Sequence, residues 1–309
     1  MPVEPAVLAE AIAAARRALP GVRPDGWLPS VQGAVGHVVG LADADAGPLV
    51  LKVYPASHVG ALGTEVLALE LAASALTLEV PRVVLRGDLS HPGVDGFVLM
   101  TRIAGTRWAD LRPVLRPETT TALAHAVGAE LRRLHEVRGT RYGALVVDGS
   151  STASAWDRVV ERSTIALTDY VATSGSAALA TRARRFVEDR RAAVDSCAGP
   201  VLCHHDVIDG NLLLDGTPTL VGVLDFEAAT WDDPLSDLAQ TLVHVRFHAP
   251  GDVPALLAGY GITSDDERAR LAVYDVLHVV AERAWIAHDR PHGWRGSVAA
   301  LDHHLATVT

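Results

Sequence analysis

Lysine is almost missing from this chain. Of 27 basic residues, 26 are arginine and one, Lys52, is lysine. Cysteine is nearly as scarce: Cys197 and Cys203 are the only two, too few for a disulfide framework or a four-ligand zinc site, and their spacing is not that of a C-x-x-C redox pair. A reducing cytoplasm is the expected compartment. No stretch approaches the roughly 18 uncharged apolar residues that a membrane span requires, and no membrane partner is expected. The opening MPVEPAVLAEAIAAARRALPG sets Glu4 and Glu10 ahead of its arginines, which predicts an amphipathic helix rather than a signal peptide. An excess of positive charge is also lacking. The 37 acidic residues leave a net charge of −10, which gives no electrostatic footprint for nucleic acid and suits a cationic small molecule. There is no G-x4-G-K-[ST] loop, so a P-loop nucleotide site is excluded. Repeats and low-complexity linkers are absent as well.

What is present is a chain of 309 residues with 49% apolar side chains, larger than one ordinary core, which predicts two packed lobes. From Trp27 to about Tyr54, short β-type runs broken by glycine predict three antiparallel strands, LPSVQ, HVVGLAD and PLVLKVY. A helix-period segment follows over about 59–76, then strands at RVVLRG and GFVLMTRI. Beyond Gly105 the pattern is mostly helical, interrupted by two apolar runs, NLLLDG and TLVGVLDF, that read as a hairpin. The expected fold is α+β, with an N-terminal antiparallel sheet plus helix over 1–103, a connection near 100–105, and a larger helical lobe over 104–309. A cleft between lobes is the expected site.

Residues 201–240 carry the chemistry. His204-x-Asp206-x4-Asn211 is followed by the hairpin and then by Asp225-Phe226-Glu227. Asp206 and Asn211 stand at two ends of one short loop, and the hairpin returns Asp225 beside them. The set provides one carboxylate to accept a proton, with an amide oxygen and a second carboxylate as hard ligands for Mg²⁺. Phosphoryl transfer needs these parts, because its transition state is mainly positioned and neutralised. Asp206 would orient and deprotonate the acceptor hydroxyl, and Asn211 and Asp225 would hold metal. The further cation expected on an upstream strand is Lys52.

These residues resemble the aminoglycoside phosphotransferase family, relatives of choline kinases and protein kinases. The resemblance spans most of the chain and is strongest over 201–240, including the D-P-x-x-D-L-A run of Asp233, Pro234, Asp237, Leu238 and Ala239. It implies a two-lobed protein-kinase-like fold and transfer of the γ-phosphate of ATP or GTP to a hydroxyl of an aminoglycoside-type antibiotic. It also implies a Lys52–Glu65 pair, for which Glu70 is the rival. Adenine would be held by the Thr101 carbonyl and the Ile103 amide, and the phosphates by backbone amides from about Gly33 to Gly36. Cationic groups of the substrate would meet acidic residues among Asp209, Glu227, Asp232, Glu282 and Asp289.

Other acceptors compatible with the same chemistry are a nucleoside or peptide antibiotic, a sugar, an amino alcohol or homoserine. A nucleotide-binding pseudokinase and a metal hydrolase built on His204-His205-Asp206 with His303-His304 are the rivals from other classes. His204 is read as an orienting residue. His205 occupies a place where relatives commonly have glycine, and no role is assigned to it. Asp233 and Asp237 are expected to cap a helix and brace the loop. A monomer or homodimer is expected.

Overall fold

Strand alternation in Gly47–Pro55 decides where the lone lysine points. Leu49, Leu51 and Val53 project to one face and are fully buried against Val7, Ala11, Ala15, Phe97 and Leu99. Lys52 and Tyr54 therefore share the other face, and both are buried there. The computed structural model describes residues 4–33, 36–146 and 151–309. Ala34 and Val35, in the middle of the expected phosphate loop, lie outside the described residues.

In chain order, the N-terminal part comprises α1 (Pro5–Ala18), β1 (Arg23–Pro24), β2 (His37–Asp43), β3 (Gly47–Pro55), α2 (Ala61–Ala72), β4 (Val83–Asp88), β5 (Val94–Thr101), β6 (Thr106–Arg107) and α3 (Trp108–Leu111). The first five strands form an antiparallel sheet in the order β1-β2-β3-β5-β4. LPSVQ, expected to be a strand, is not one. The side-chain amide of Gln32 substitutes for it, donating from Nε2 to the Val38 carbonyl at 2.8 Å and accepting the Val38 amide at 2.9 Å. One side chain thus does what a strand partner would, and Pro29 would have interrupted a ladder there.

The chain continues through α4 (Pro117–Leu134), β7 (Tyr142–Ala144), β8 (Ser151–Thr152), α5 (Ala155–Ala172), α6 (Ala177–Glu188), α7 (Arg191–Asp195) and β9 (Val201–Cys203). A hairpin follows, β10 (Leu212–Leu214) with β11 (Leu220–Val223), and then β12 (Thr230–Asp232), α8 (Pro234–His248), α9 (Val253–Tyr260), α10 (Asp265–Asp289) and α11 (Trp294–Val308). The apolar pattern over 177–196 predicts one helix. It is broken at Asp189–Arg190, where Arg190 leaves helical dihedrals and its carbonyl starts the next turn. α10 opens on a capping box between Ser264 and Glu267. α4 and α9 approach through glycine: a Cβ on Gly259 would stand 1.9 Å from the His125 carbonyl oxygen, and one on Gly128 2.2 Å from that of Leu256.

Two compact units result. One is Met1–Leu111 with Asp209–Ala229, and the other is Arg112–Ile208 with Thr230–Thr309. The expected single boundary at 103/104 differs from this grouping, because the β10–β11 hairpin belongs with the N-terminal part. β10 pairs with β6, and Glu79 exchanges backbone hydrogen bonds with Val221 and Val223. In the second unit, short strands form a sheet in the order β8-β7-β12-β9. No helix among the described residues is long and apolar enough to cross a membrane.

Candidate active site

In the first unit, β3 brings Lys52 to α2 and to the end of the hairpin. The Lys52 Nζ lies 2.7 Å from Glu65 Oε2, 2.6 Å from Asp225 Oδ1 and 2.8 Å from Glu227 Oε2. Tyr54, two residues along the same face, donates its hydroxyl to Glu65. Glu65 is buried on α2 and Glu70 is exposed, so the pair at Lys52 is the preferred one. Gly36 makes room for it: a Cβ there would stand 2.6 Å from Lys52 Cε.

One ammonium thus faces three carboxylates. Burial alone would lower the Lys52 pKa, but Glu65, Tyr54, Asp225 and Glu227 outweigh it and hold the pKa well above the usual lysine value. Glu227 is pushed up to about 7, by burial first and then by Asp225 and Glu65 against the pull of Lys52. The cluster remains short of positive charge, and its hard oxygens suit a divalent ion such as Mg²⁺. Glu65, Asp225 and Glu227 bring carboxylate oxygens within 4.8 Å of one another. Asp225 keeps 26% of its side chain exposed and holds φ at +69°, a left-handed conformation that costs an L-residue energy and is found disproportionately at functional sites.

The hairpin register brings the other expected ligand to this end of the unit. Leu212 pairs with Val223, and Leu224 donates its amide to the Asn211 carbonyl at 2.9 Å. Asn211 closes a 3-10 turn begun by Asp209. At the far end of β5, the Thr101 amide donates to the Arg82 carbonyl at 2.9 Å and the Thr101 hydroxyl accepts the Arg82 amide at 2.9 Å, and Arg102 turns its side chain away to Asp25 at 2.8 Å. The Ile103 amide donates to no group among the described residues. Gly33 and Gly36 flank the two undescribed positions.

In the second unit, β9 ends at Cys203 and delivers His204, His205 and Asp206. Asp237, on the first turn of α8, accepts the His204 and His205 amides at 2.7 and 2.8 Å and meets His135 Nε2 at 3.1 Å. The fully buried His204 accepts the Asp206 amide on Nδ1 at 3.1 Å. That bond sets the imidazole tautomer with its proton on Nε2. His204 therefore orients the loop and Asp237 braces it. Asp233 caps α8 through the Leu235 amide and pairs with Arg270 at 2.9 Å. Asp206 and Glu282 line a cavity of about 950 Å³ within this unit.

The five acids expected to meet substrate divide sharply. Glu282 lines the cavity. Glu227 is instead bound to Lys52. Asp232 is fully buried, with Arg162 at 2.8 Å, His205 at 3.5 Å and Arg158 at 3.8 Å, so no carboxylate oxygen is left for a ligand. Asp289 is exposed at the end of α10, outside the cavity lining, and Asp209 sits in the 3-10 turn of the first unit. The hydrolase reading also fails, because His304 is committed to Asp275 at 3.0 Å. His205, to which the sequence reading assigns no role, lines the cavity and holds φ at +60°. That conformation favours glycine and was not legible from residue type.

The family profile described as "Phosphotransferase enzyme family" matches residues 32–274. The wild-type aminoglycoside 2'-phosphotransferase-IIIa GDP complex is similar to this chain at 17% identity, covering 98% of each chain with a TM-score of 0.66. A thermostable aminoglycoside phosphotransferase APH(4)-Ia in ternary complex with AMP-PNP and hygromycin B is similar at 15% identity, covering 97% of each, with a TM-score of 0.68. The GDP and kanamycin complex of APH(2")-IIia gives 15% identity, 95% and 96% coverage and a TM-score of 0.65. A search of curated protein sequences gives no match. With the profile spanning most of its length, the chain belongs to the phosphotransferase enzyme family and shares the α+β, protein-kinase-like fold of small-molecule kinases.

Proposed function

We propose that this protein transfers the γ-phosphoryl group of ATP or GTP to a hydroxyl of a small molecule in a reducing cytoplasm. The observation that carries the reading is the Lys52 ammonium among Glu65, Asp225 and Glu227. A buried cluster with more negative than positive charge is costly unless further cations join it. Lys52 would bind phosphate oxygens while Glu65, steadied by Tyr54, holds the ammonium in place. Asp225 and Asn211 would hold Mg²⁺, which when bound neutralises phosphate charge. The backbone from Gly33 to Gly36 would cover the phosphates, and the Thr101 carbonyl and Ile103 amide would grip the base.

Asp206 would orient the acceptor hydroxyl and take its proton onto a carboxylate oxygen as the oxygen attacks phosphorus. Aminoglycosides are one proposed acceptor class, since solved structures similar to this chain hold kanamycin or hygromycin B, and smaller hydroxylated amines are the other. The test is a coupled assay of nucleotide consumption against antibiotics and hydroxylated metabolites, with mass spectrometry for a phosphate adduct. Asp206→Ala should abolish turnover, by roughly 10³-fold or more, and leave nucleotide binding intact in calorimetry. Undiminished turnover in this variant would remove Asp206 from the mechanism.

A further inference from the structure

Resting on the phosphotransferase reading, we infer that the cavity beside Asp206 selects a hydroxylated acceptor with an apolar ring or chain and a single amine, rather than a polyamine sugar. The inference comes from what the walls offer. Of the 20 residues lining the cavity, only Asp206 and Glu282 carry carboxylates. Asp206 is reserved for the hydroxyl, which leaves Glu282 as the one available anion. Arg162 also lines the cavity, but its guanidinium is paired with Asp232 and adds no anion to the wall. A polyamine placed here would bring several ammonium groups to a wall that offers one of them a carboxylate and faces the others with apolar surface.

The remaining wall suits a different body. Val243 and Phe247 on α8, Trp285 and Ile286 on α10, and Leu301 on α11 face the same space. Trp285 leaves 53% of its surface exposed, a large indole face that an apolar ligand would cover. Polar complementarity is local. His205 Nδ1 and Gln240 Oε1 are buried and lack hydrogen-bond partners among the described residues, and both residues line the cavity. His278 is fully buried, and burial together with Arg162 and His205 depresses its pKa well below the ordinary histidine value. This part of the wall therefore adds a neutral ring. At about 950 Å³ the space is large for a monosaccharide or homoserine and falls at the upper end of small-molecule sites.

Glu282 is the specificity residue in this arrangement. Although its surface is partly open, desolvation by the surrounding wall raises its pKa, His244 lowers it and Asp206 raises it, so an arriving ammonium finds a carboxylate that its own charge stabilises.

The experiment separates charge from apolar bulk with four probes: kanamycin, glucosamine, an aryl glucosaminide and the matching neutral aryl glucoside. Binding is followed by calorimetry without nucleotide and kcat/KM by coupled assay with ATP. The aryl glucosaminide should bind about tenfold or more tighter than glucosamine or kanamycin. Glu282→Gln should weaken it by about tenfold, with the loss confined to the aminated glycoside. Trp285→Ala should weaken both aryl glycosides. Both positions are exposed, so thermal melts should be unchanged. Kanamycin binding as tightly as the aryl glucosaminide would overturn the inference, as would no binding by either aryl glycoside or an equal loss for both in Glu282→Gln. Efficient phosphorylation of kanamycin would overturn it while upholding the phosphotransferase reading. Failure to bind ATP or GTP would overturn that reading, with the nucleotide-free binding order still deciding the pocket's preference.

Discussion

Around Lys52 a single ammonium faces three carboxylates, whereas around Asp237 every buried carboxylate has donors of its own. Asp237 takes two backbone amides and His135, Asp232 takes Arg162 and the Asp233 amide, and Asp233 takes Arg270 and the Leu235 amide. Both clusters are acidic and both are largely buried. They differ in closure. Each carboxylate around Asp237 accepts a backbone amide and faces a basic side chain, so the charges of that group fix the shape of the His204–Asp206 loop. The group around Lys52 is left with surplus negative charge, so its charges await something positive. A count of acidic residues could not separate the two roles; the partners do.

Breaking the closed cluster should give the largest effect. Asp237→Asn removes the charge that faces His135 and one strong acceptor for the loop amides. Loss of one partner in such a buried network costs about 3–5 kcal/mol, so thermal unfolding should move down by many degrees and turnover should fall with it. A variant as stable as the parent would mean that the loop is held elsewhere.

The open cluster should respond the opposite way. Asp225→Asn removes one of the surplus charges, so the melting temperature should hold or rise while turnover falls by roughly 10²–10³-fold, the usual loss when an electrostatic stabiliser is deleted. A fall in stability matching that of Asp237→Asn would erase the distinction between the clusters.

The mildest probe is acid. Burial pushes Asp232 and Asp237 up, but hydrogen bonds and charge from His205 and Arg162 for one, and from His135 and His205 for the other, hold both well below the ordinary carboxylate range. A folded-state pKa below the unfolded one gives stability that is complete above the unfolded aspartate pKa of 3.8 and is lost as pH falls through the folded values. Thermal melts at descending pH should therefore show a steep acid limb, shallower in Asp237→Asn.

Much of the open cluster was legible in the sequence because its chemistry is compressed into short motifs. Lys52 stood out by scarcity, and the hairpin between Asn211 and Asp225 followed from two apolar runs around a turn. The choice of Glu65 over Glu70 needed the helix rotation that only α2's packing on the sheet supplies. The acceptor wall was not legible. Its residues come from α8, α10 and α11, and nothing in a lone His244 or Trp285 says that the three helices share a cavity. Asp232 misled for the same reason, since Arg158 and Arg162 lie about 70 residues upstream. β7, β8, β9 and β12 are two or three residues long, too short for any periodicity to register.

The near-absence of lysine has a practical consequence for labelling chemistry. The chain carries one ε-amino group, and it is 6% exposed, so acylating reagents meet no lysine at the surface. Modification of Lys52, read as a mass change on a single peptide, reports directly on whether the carboxylates around it have let go.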